Sequence, residues 1–474
     1  MNIKDRPTTF GVIVGTRGIF NSELAAADRE KLLKTMEGMG FTVVIPGKEE
    51  TTNGGIETRR DAKVCAELFK RHAADIDGIV VSLPNFGDEL AVVQVLDMAG
   101  LNVPVLVQAS NDALDKVDIF SRRDAFCGKI SVCNNLYQYG IKFTDTSRHT
   151  EDPDSDMFRQ DLERFAAVCR VVRGVRGARI GMIGTRPDAF QTVRFSEKIL
   201  QSSGITVVPI DLSWIFARAG EIRENDPELG KKLKAIRGYG SIPDRIPQEH
   251  IMKSARLSLT VERWIEENEC DASAVQCWNS IQLNYGCAAC LTMSMMSNSL
   301  RPSACEVDIT GALSMLILSL ASRQPAALLD WNNNYGDEEN KCVNTHCSNF
   351  PKDFVNNDIE ISELDLLGED LGRENSFGAI KGKVKAGPAT YLRVSTDDPK
   401  GRIKGYVGAA EFTDDPFDMD GGIAVVEVPR MRDLLRHICA QGFEHHVAMT
   451  RGNMSSVIGE ALGTYLGWDI YMHE

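Results

Sequence analysis

Four apolar runs in the first third of the chain limit its fold more than any other feature. TFGVIVGT, FTVVIP, GIVVSLP and VPVLVQA are short, β-branched and apolar at successive positions. A strand with one wet face alternates apolar and polar residues. These runs do not, so both of their faces are expected to be covered. Helical patterns lie between them, the clearest from Ser22 to Met39. Strands alternating with helices specify a parallel sheet packed on both sides.

The pattern breaks at DTSRHTEDPDSD, a polar, acidic stretch between residues 145 and 160, and a helix is expected from Met157 to Arg173. The alternation then restarts. RIGMIG, ITVVPID, ASAVQCW and AALLDW read as strands, with helices expected at Gln191–Ser203, Gln248–Asn268, Ala288–Ser297 and Cys305–Ser322. No sequence repeat links the two halves. After residue 352 the runs GAIKGKVKAGPATYLRVST, GRIKGYVGAAEFT and GGIAVVEVP alternate and are broken by Gly, Pro and Asp, as antiparallel strands are. Short helices are expected at Arg430–Ala440 and Met454–Leu466. The expected architecture is α/β: two Rossmann-like, doubly wound domains (1–170 and 171–352), then a smaller β-rich barrel or sandwich (353–474).

A formal net charge of −14 argues against non-specific binding to nucleic acid or an anionic membrane. The longest apolar run, ALSMLILSLAS, falls short of the roughly 18 residues of a membrane span. The stretch MNIKDRPTTFGVIVGT holds no apolar leader-like run, so a cytoplasmic protein is expected. Its twelve cysteines are then read as reduced, small core residues.

The residues able to do chemistry are few. Glu306 and Asp308 stand near the start of SACEVDITGALSMLILSLASRQPAALLDWNNN, and Asp330 stands near its end. Of eight histidines, His346 lies in CVNTHCSNFP, and His445 and His446 in GFEHHVAMTRGN. Carboxylates with imidazoles suit Mn²⁺, Fe²⁺ or Co²⁺, where thiolates would suit zinc. Each residue also has an ordinary reading. Ser303-Ala-Cys-Glu306 matches the S-x-x-E capping box, in which Glu306 would bond its own helix start. Asp308 reads as a first-turn acid favoured by the helix dipole, and Asp330 as a turn acid or as the end of a strand facing a ligand crevice. Cys287-Ala-Ala-Cys290 lacks a second pair and reads as core. Gly15-Thr16-Arg17-Gly18 and Gly184-Thr185-Arg186-Pro187 each follow a strand, but neither completes a dinucleotide fingerprint. Each places an arginine where an oxygen-rich ligand would come.

In order and spacing these segments resemble the fucose-isomerase-like branch of the L-fucose and L-arabinose isomerase superfamily of aldose–ketose isomerases. CEVDITGA and LLDWNN carry the likeness, with the two acids 24 positions apart. The resemblance implies Mn²⁺, or Co²⁺ or Fe²⁺, held by Glu306, Asp330, His346 and His446, the second histidine of the pair. It casts Glu306 and Asp330 as the catalytic acids, acting through a cis-enediol. Arg17, Arg186, Trp331, Asn332 and His445 fall where substrate contacts would lie. It also implies a homo-oligomer, trimer or hexamer, with active sites between subunits. The chain is shorter than typical fucose isomerases, so the sugar is less defined than the reaction. L-Fucose, D-arabinose and L-arabinose are the usual substrates of the superfamily. Some members of the fucose-like branch take sulfoquinovose, a sulfonated hexose, and Arg17, Arg186, Arg194 and Arg451 are candidate partners for such an anion. Two rival classes are an NAD-dependent oxidoreductase, against which the incomplete glycine patterns count, and a clamshell sugar-binding protein, which leaves the third domain without a role.

Overall fold

The computed structural model describes residues 6–346, 349–356 and 359–474. Contacts group the chain into two units. One holds residues 6–173 together with 464–466; the other holds 174–463 and 467–474. The second unit therefore runs across the expected division at residue 352.

In the first unit, β1 (Thr9–Val14), β2 (Thr42–Val44), β3 (Gly78–Leu83), β4 (Val105–Ala109) and β5 (Thr144–Asp145) form a parallel sheet of order 2-1-3-4-5. This is the order of a doubly wound open sheet. Alternate side chains explain the unbroken apolar runs. Ile13, Ile79, Val81 and Val107 pack under the helices Arg59–Arg71, Glu89–Ala99 and Ala125–Gln138. Val12, Val80 and Leu106 face the opposite core, made with the helices Ser22–Gly38 and Asp156–Val175.

The second unit opens with β6 (Arg179–Ile183), β7 (Thr206–Ile210), β8 (Ala272–Val275) and β9 (Ser303–Cys305), parallel in the order 7-6-8-9. It continues as β10 (Ala326–Asn334), β11 (Lys341–His346), β12 (Glu360–Glu363), β13 (Phe377–Lys383), β14 (Gly387–Asp397), β15 (Arg402–Thr413), β16 (Gly422–Glu427), β17 (His446–Arg451) and β18 (Asp469–His473). Among the described residues these nine form one mixed sheet of order 12-13-16-11-10-17-14-15-18. A further pairing of β15 with β16 closes six of them into a ring. The β-rich region therefore starts at β10, not at residue 352, and AALLDW belongs to this ring and not to the parallel sheet. Its strand also runs on to Asn334, past a register shift between Trp331 and Asn333.

The apolar run of the opening motif becomes the helix Ile309–Ser322, buried at every residue from Ile309 to Ala321. It packs on β6, β8 and β9 on one side and on β10, β14 and β17 on the other. A helix with partners on both sides has no wet face, which accounts for a stretch apolar all round. Its start differs from the expected Cys305, because Ser303–Cys305 pairs as a strand with β8. The expected helix at Gln191–Ser203 is also interrupted. A short turn covers Gln191–Val193, and a helix capped by Ser196 starts at Glu197. No helix among the described residues is long and apolar enough to cross a membrane.

Leu318 is fully buried in the middle of this helix. Leu318→Ala is expected to cost about 2–5 kcal/mol, read as a lowered urea midpoint for the unfolding of the second unit.

Candidate active site

The capping-box reading of Ser303-Ala-Cys-Glu306 does not hold. Ser303 is in β9, and the helix Ile309–Ser322 is capped by Asp308, whose Oδ1 accepts from Gly311 N at 2.8 Å. Glu306 is thereby released from any capping duty. It lies in the tight turn between β9 and the helix, where Glu306 and Val307 both hold positive φ, 59° and 57°. Two consecutive non-glycine residues in the left-handed region cost about 1–3 kcal/mol each. The turn delivers the Glu306 carboxylate beyond the C-terminal end of a parallel strand. Trp278 Nε1 donates to Glu306 Oε1 at 3.0 Å and fixes one of its oxygens.

The other groups come from three neighbouring strands of the ring. β10 pairs with β17 so that Asp330 lies opposite His446, and with β11 so that Asp330 lies opposite Thr345, next to His346. His346 Nδ1 stands 3.3 Å from Asp330 Oδ1. His446 Nε2 stands 2.9 Å from Glu306 Oε2 and 3.5 Å from Asp330 Oδ1. Ligand atoms of Glu306, His346 and His446 all lie within 4.8 Å of one another, as do those of Asp330, His445 and His446. The parallel sheet and the ring thus each contribute one acid, and the ring adds the imidazoles.

Charges set the protonation of this cluster. Burial alone would raise the Asp330 carboxyl, but the imidazoles of His346, His446 and His445 hold it below its ordinary value. Burial would lower His446, yet the carboxylates of Asp308 and Glu306 on its two nitrogens outweigh it and push the imidazole up to about 9. His445 moves the other way, lowered by burial and by its neighbour His446.

The cluster opens into a cleft of about 530 Å³, a size that suits a small ligand. Trp278, Asn332 and Thr345 line it beside the acids. Across from them stand Leu364, Leu366, Leu367 and Met419, with Asp365, Glu369 and Asp420. Lys381 bridges Asp365 and Asp420 at 3.0 and 2.7 Å.

The remaining expected contacts divide. Asn332 lines the cleft. His445 is half-exposed with Nε2 3.7 Å from Asp330 Oδ1. Trp331 points to the other face of β10, as strand alternation requires. Its Nε1 donates to Tyr406 Oη at 3.0 Å, and its ring meets Tyr391 edge-on. Arg186 donates to the carbonyls of Pro187 and Asp188 in its own loop, Arg194 to that of Gln191, and Arg451 to those of Lys385 and Ala386. Arg17, in the first unit, pairs with Glu89 and lies over the Phe86 ring. Two site residues were missed. Trp278 follows a strand end but carries no motif, and Phe190, whose ring stands near Trp278, His445 and His446, sits in an unpatterned loop.

Comparison with known proteins adds the family. Residues 11–176 match the fucose/sulfoquinovose isomerase N-terminal domain, and residues 344–473 match the L-fucose isomerase C-terminal domain. The chain belongs to the fucose isomerase family. It is an aldose–ketose isomerase acting on a sugar. Proteins described as sulfoquinovose isomerase from Priestia aryabhattai and Priestia megaterium are each 25% identical over 444 residues, 93% of this chain and 93% of theirs. One from Alkalicoccus urumqiensis is 26% identical over 313 residues, 65% of this chain and 68% of its own. A transporter solute-binding protein from Burkholderia multivorans aligns with 68% of this chain and 95% of its own at 10% identity and a TM-score of 0.18, too slight a likeness to carry any argument.

The raised His446 has a consequence for stability in the presence of a chelator. A group whose folded value lies above its ordinary value near 6.5 stabilises fully below about pH 6.5 and loses that contribution as pH rises through about 9. The stability advantage of the wild type over His446→Gln is therefore expected to shrink between pH 6 and pH 10, read from unfolding midpoints in EDTA.

Proposed function

We propose that the chain is a divalent-metal-dependent isomerase that interconverts an aldose and its ketose by proton transfer through a cis-enediol. The observation that carries this reading is the convergence of Glu306, Asp330, His346 and His446 in one cluster beside a cleft. The donors fit a metal of the Mn²⁺, Co²⁺ or Fe²⁺ type. Two carboxylates and two imidazoles are the ligands such ions take. Glu306 Oε2 and His446 Nε2 are also buried without a well-aligned hydrogen bond among the described residues, and buried polar atoms left in that state call for a ligand.

Glu306, Asp330, His346 and His446 would hold the ion. When bound, it would stabilise negative charge on the two adjacent sugar oxygens as the enediol forms. The protein does the proton work. One proton must move between C1 and C2 and another between O1 and O2, so two acid–base groups are needed within reach of adjacent atoms. Glu306 and Asp330 supply them, one from the parallel sheet's edge and one from the ring. Trp278 keeps Glu306 from turning away, and Asn332 offers an amide to a sugar hydroxyl. Leu364, Leu366, Leu367 and Met419 would exclude water from the reacting face.

The relatives described as sulfoquinovose isomerase favour a sulfonated hexose as substrate. The acidic far wall of the cleft, and the engagement of Arg186, Arg194 and Arg451 with backbone carbonyls, favour the second reading, a neutral sugar of the L-fucose or L-arabinose type. A cytoplasmic homo-oligomer, trimer or hexamer, with active sites between subunits and Arg17 as a substrate contact supplied by a neighbouring subunit, completes the proposal.

Stripping the protein with EDTA is expected to abolish aldose–ketose conversion, and Mn²⁺ to restore it, when followed by NMR of the sugar. Glu306→Gln and Asp330→Asn are each expected to lower kcat by at least about 100-fold, the scale of a lost general acid or base. Conversion that is indifferent to metal and to both substitutions rules the mechanism out. A panel of L-fucose, D-arabinose, L-arabinose and sulfoquinovose separates the two substrate readings by kcat/KM.

A further inference from the structure

Behind the acids and imidazoles lies a second set of charges that the proposed chemistry does not touch. Arg393 on β14 is fully buried. Its two terminal nitrogens grip both oxygens of Asp308, with Nη2 3.0 Å from Oδ1. Nη2 also donates to Thr310 Oγ1 at 2.8 Å and stands 3.0 Å from Glu444 Oε1. Glu444 is itself held by Ser395 Oγ at 2.8 Å. Asp308, fully buried as well, spends Oδ1 on the helix start and presents Oδ2 to His446 Nδ1 at 2.8 Å.

Stability is a weak explanation for this arrangement. Taking three charges out of water costs several kcal/mol each, and a packed apolar trio often serves as well or better. Geometry gives a stronger one. The bidentate fork, the cap to Gly311 and the wall of Thr310 leave the Asp308 carboxylate one orientation. An imidazole that donates Nδ1–H to that carboxylate must turn its Nε2 the other way, and here Nε2 faces Glu306 Oε2 and Asp330 Oδ1.

We propose that Asp308 and Arg393 are positioning residues: Arg393, braced by Glu444, locks Asp308, and Asp308 fixes the tautomer and ring orientation of His446. Asp308 touches neither substrate nor ion in this scheme and acts only through His446. The inference rests on the metal-centre reading above and extends it by naming what holds the ligand in place. Carboxylate partners of ligating histidines commonly govern metal affinity by 10–100-fold when lost. Arg393→Lys keeps the charge but not the fork. Asp308→Asn keeps the shape but offers a competing donor to Nδ1.

The test is Mn²⁺ affinity, measured on EDTA-stripped, full-length protein by the EPR signal of free Mn²⁺, with near-UV circular dichroism as the check on folding. Arg393→Lys and Asp308→Asn are expected to weaken Mn²⁺ binding about 10–100-fold while keeping a native spectrum. Glu444→Gln, an isosteric change one residue further from His446, is expected to weaken it several-fold and serves if the other two fail to fold. Affinities within twofold of wild type in the folded variants overturn the positioning role and leave the metal centre standing. A wild-type protein that binds no Mn²⁺ overturns both.

Discussion

One buried carboxylate, Asp308, joins the parts of the second unit. Its two oxygens cap the helix Ile309–Ser322, pair with Arg393 on β14 and meet His446 on β17. Burial by itself would raise this carboxyl, but Arg393 and His446 hold it far below the ordinary range. The carboxylate is therefore favoured in its charged form. A charge with every direction satisfied is a rigid point, and rigidity is what an acid–base site needs from the residues behind it.

The helix that Asp308 starts accounts for the site's composite origin. It lies between a parallel sheet and a closed ring of strands, and its two ends open toward strands of both. Glu306 stands two residues before its cap, set by a turn that spends conformational energy to face outward. Asp330 arrives on the following strand, paired with His446 on the neighbouring β17 and beside His346 on β11. The 23 residues between the acids are thus one buried helix, one reversal and a half strand. That spacer holds two carboxylates from different sheets close to one imidazole.

Much of this was legible in the sequence, for definite physical reasons. The unbroken apolar strands announced the parallel sheets, because a strand packed on both faces has nowhere to place polar residues. Glu306, Asp330, His346 and His446 stood out as acids and imidazoles on or beside apolar runs, and the structure brings all four together. Other features were hidden. S-x-x-E looks the same whether Ser303 starts a helix or ends a strand, and only pairing with β8 decides it. The ring starts at β10 because AALLDW reads equally as a parallel or an antiparallel strand until its partners are known. Trp331 was judged by adjacency to Asp330, yet neighbours on a strand face opposite ways. Arg393, Glu444 and Trp278 have no local signature at all. Their meaning comes from contacts made across 28 to 85 residues of chain, as in Trp278 with Glu306 and Arg393 with Asp308.

The central claim is that Glu306, Asp330 and His446, with His346, form one divalent-metal centre serving the isomerisation. Anomalous X-ray scattering at the manganese edge, from crystals of Mn²⁺-loaded protein, tests it most directly. The account predicts a single strong peak per chain, bounded by Glu306, Asp330 and His446. Crystals that bind Mn²⁺ only elsewhere, or a cluster that stays closed on itself at saturating Mn²⁺, would contradict it.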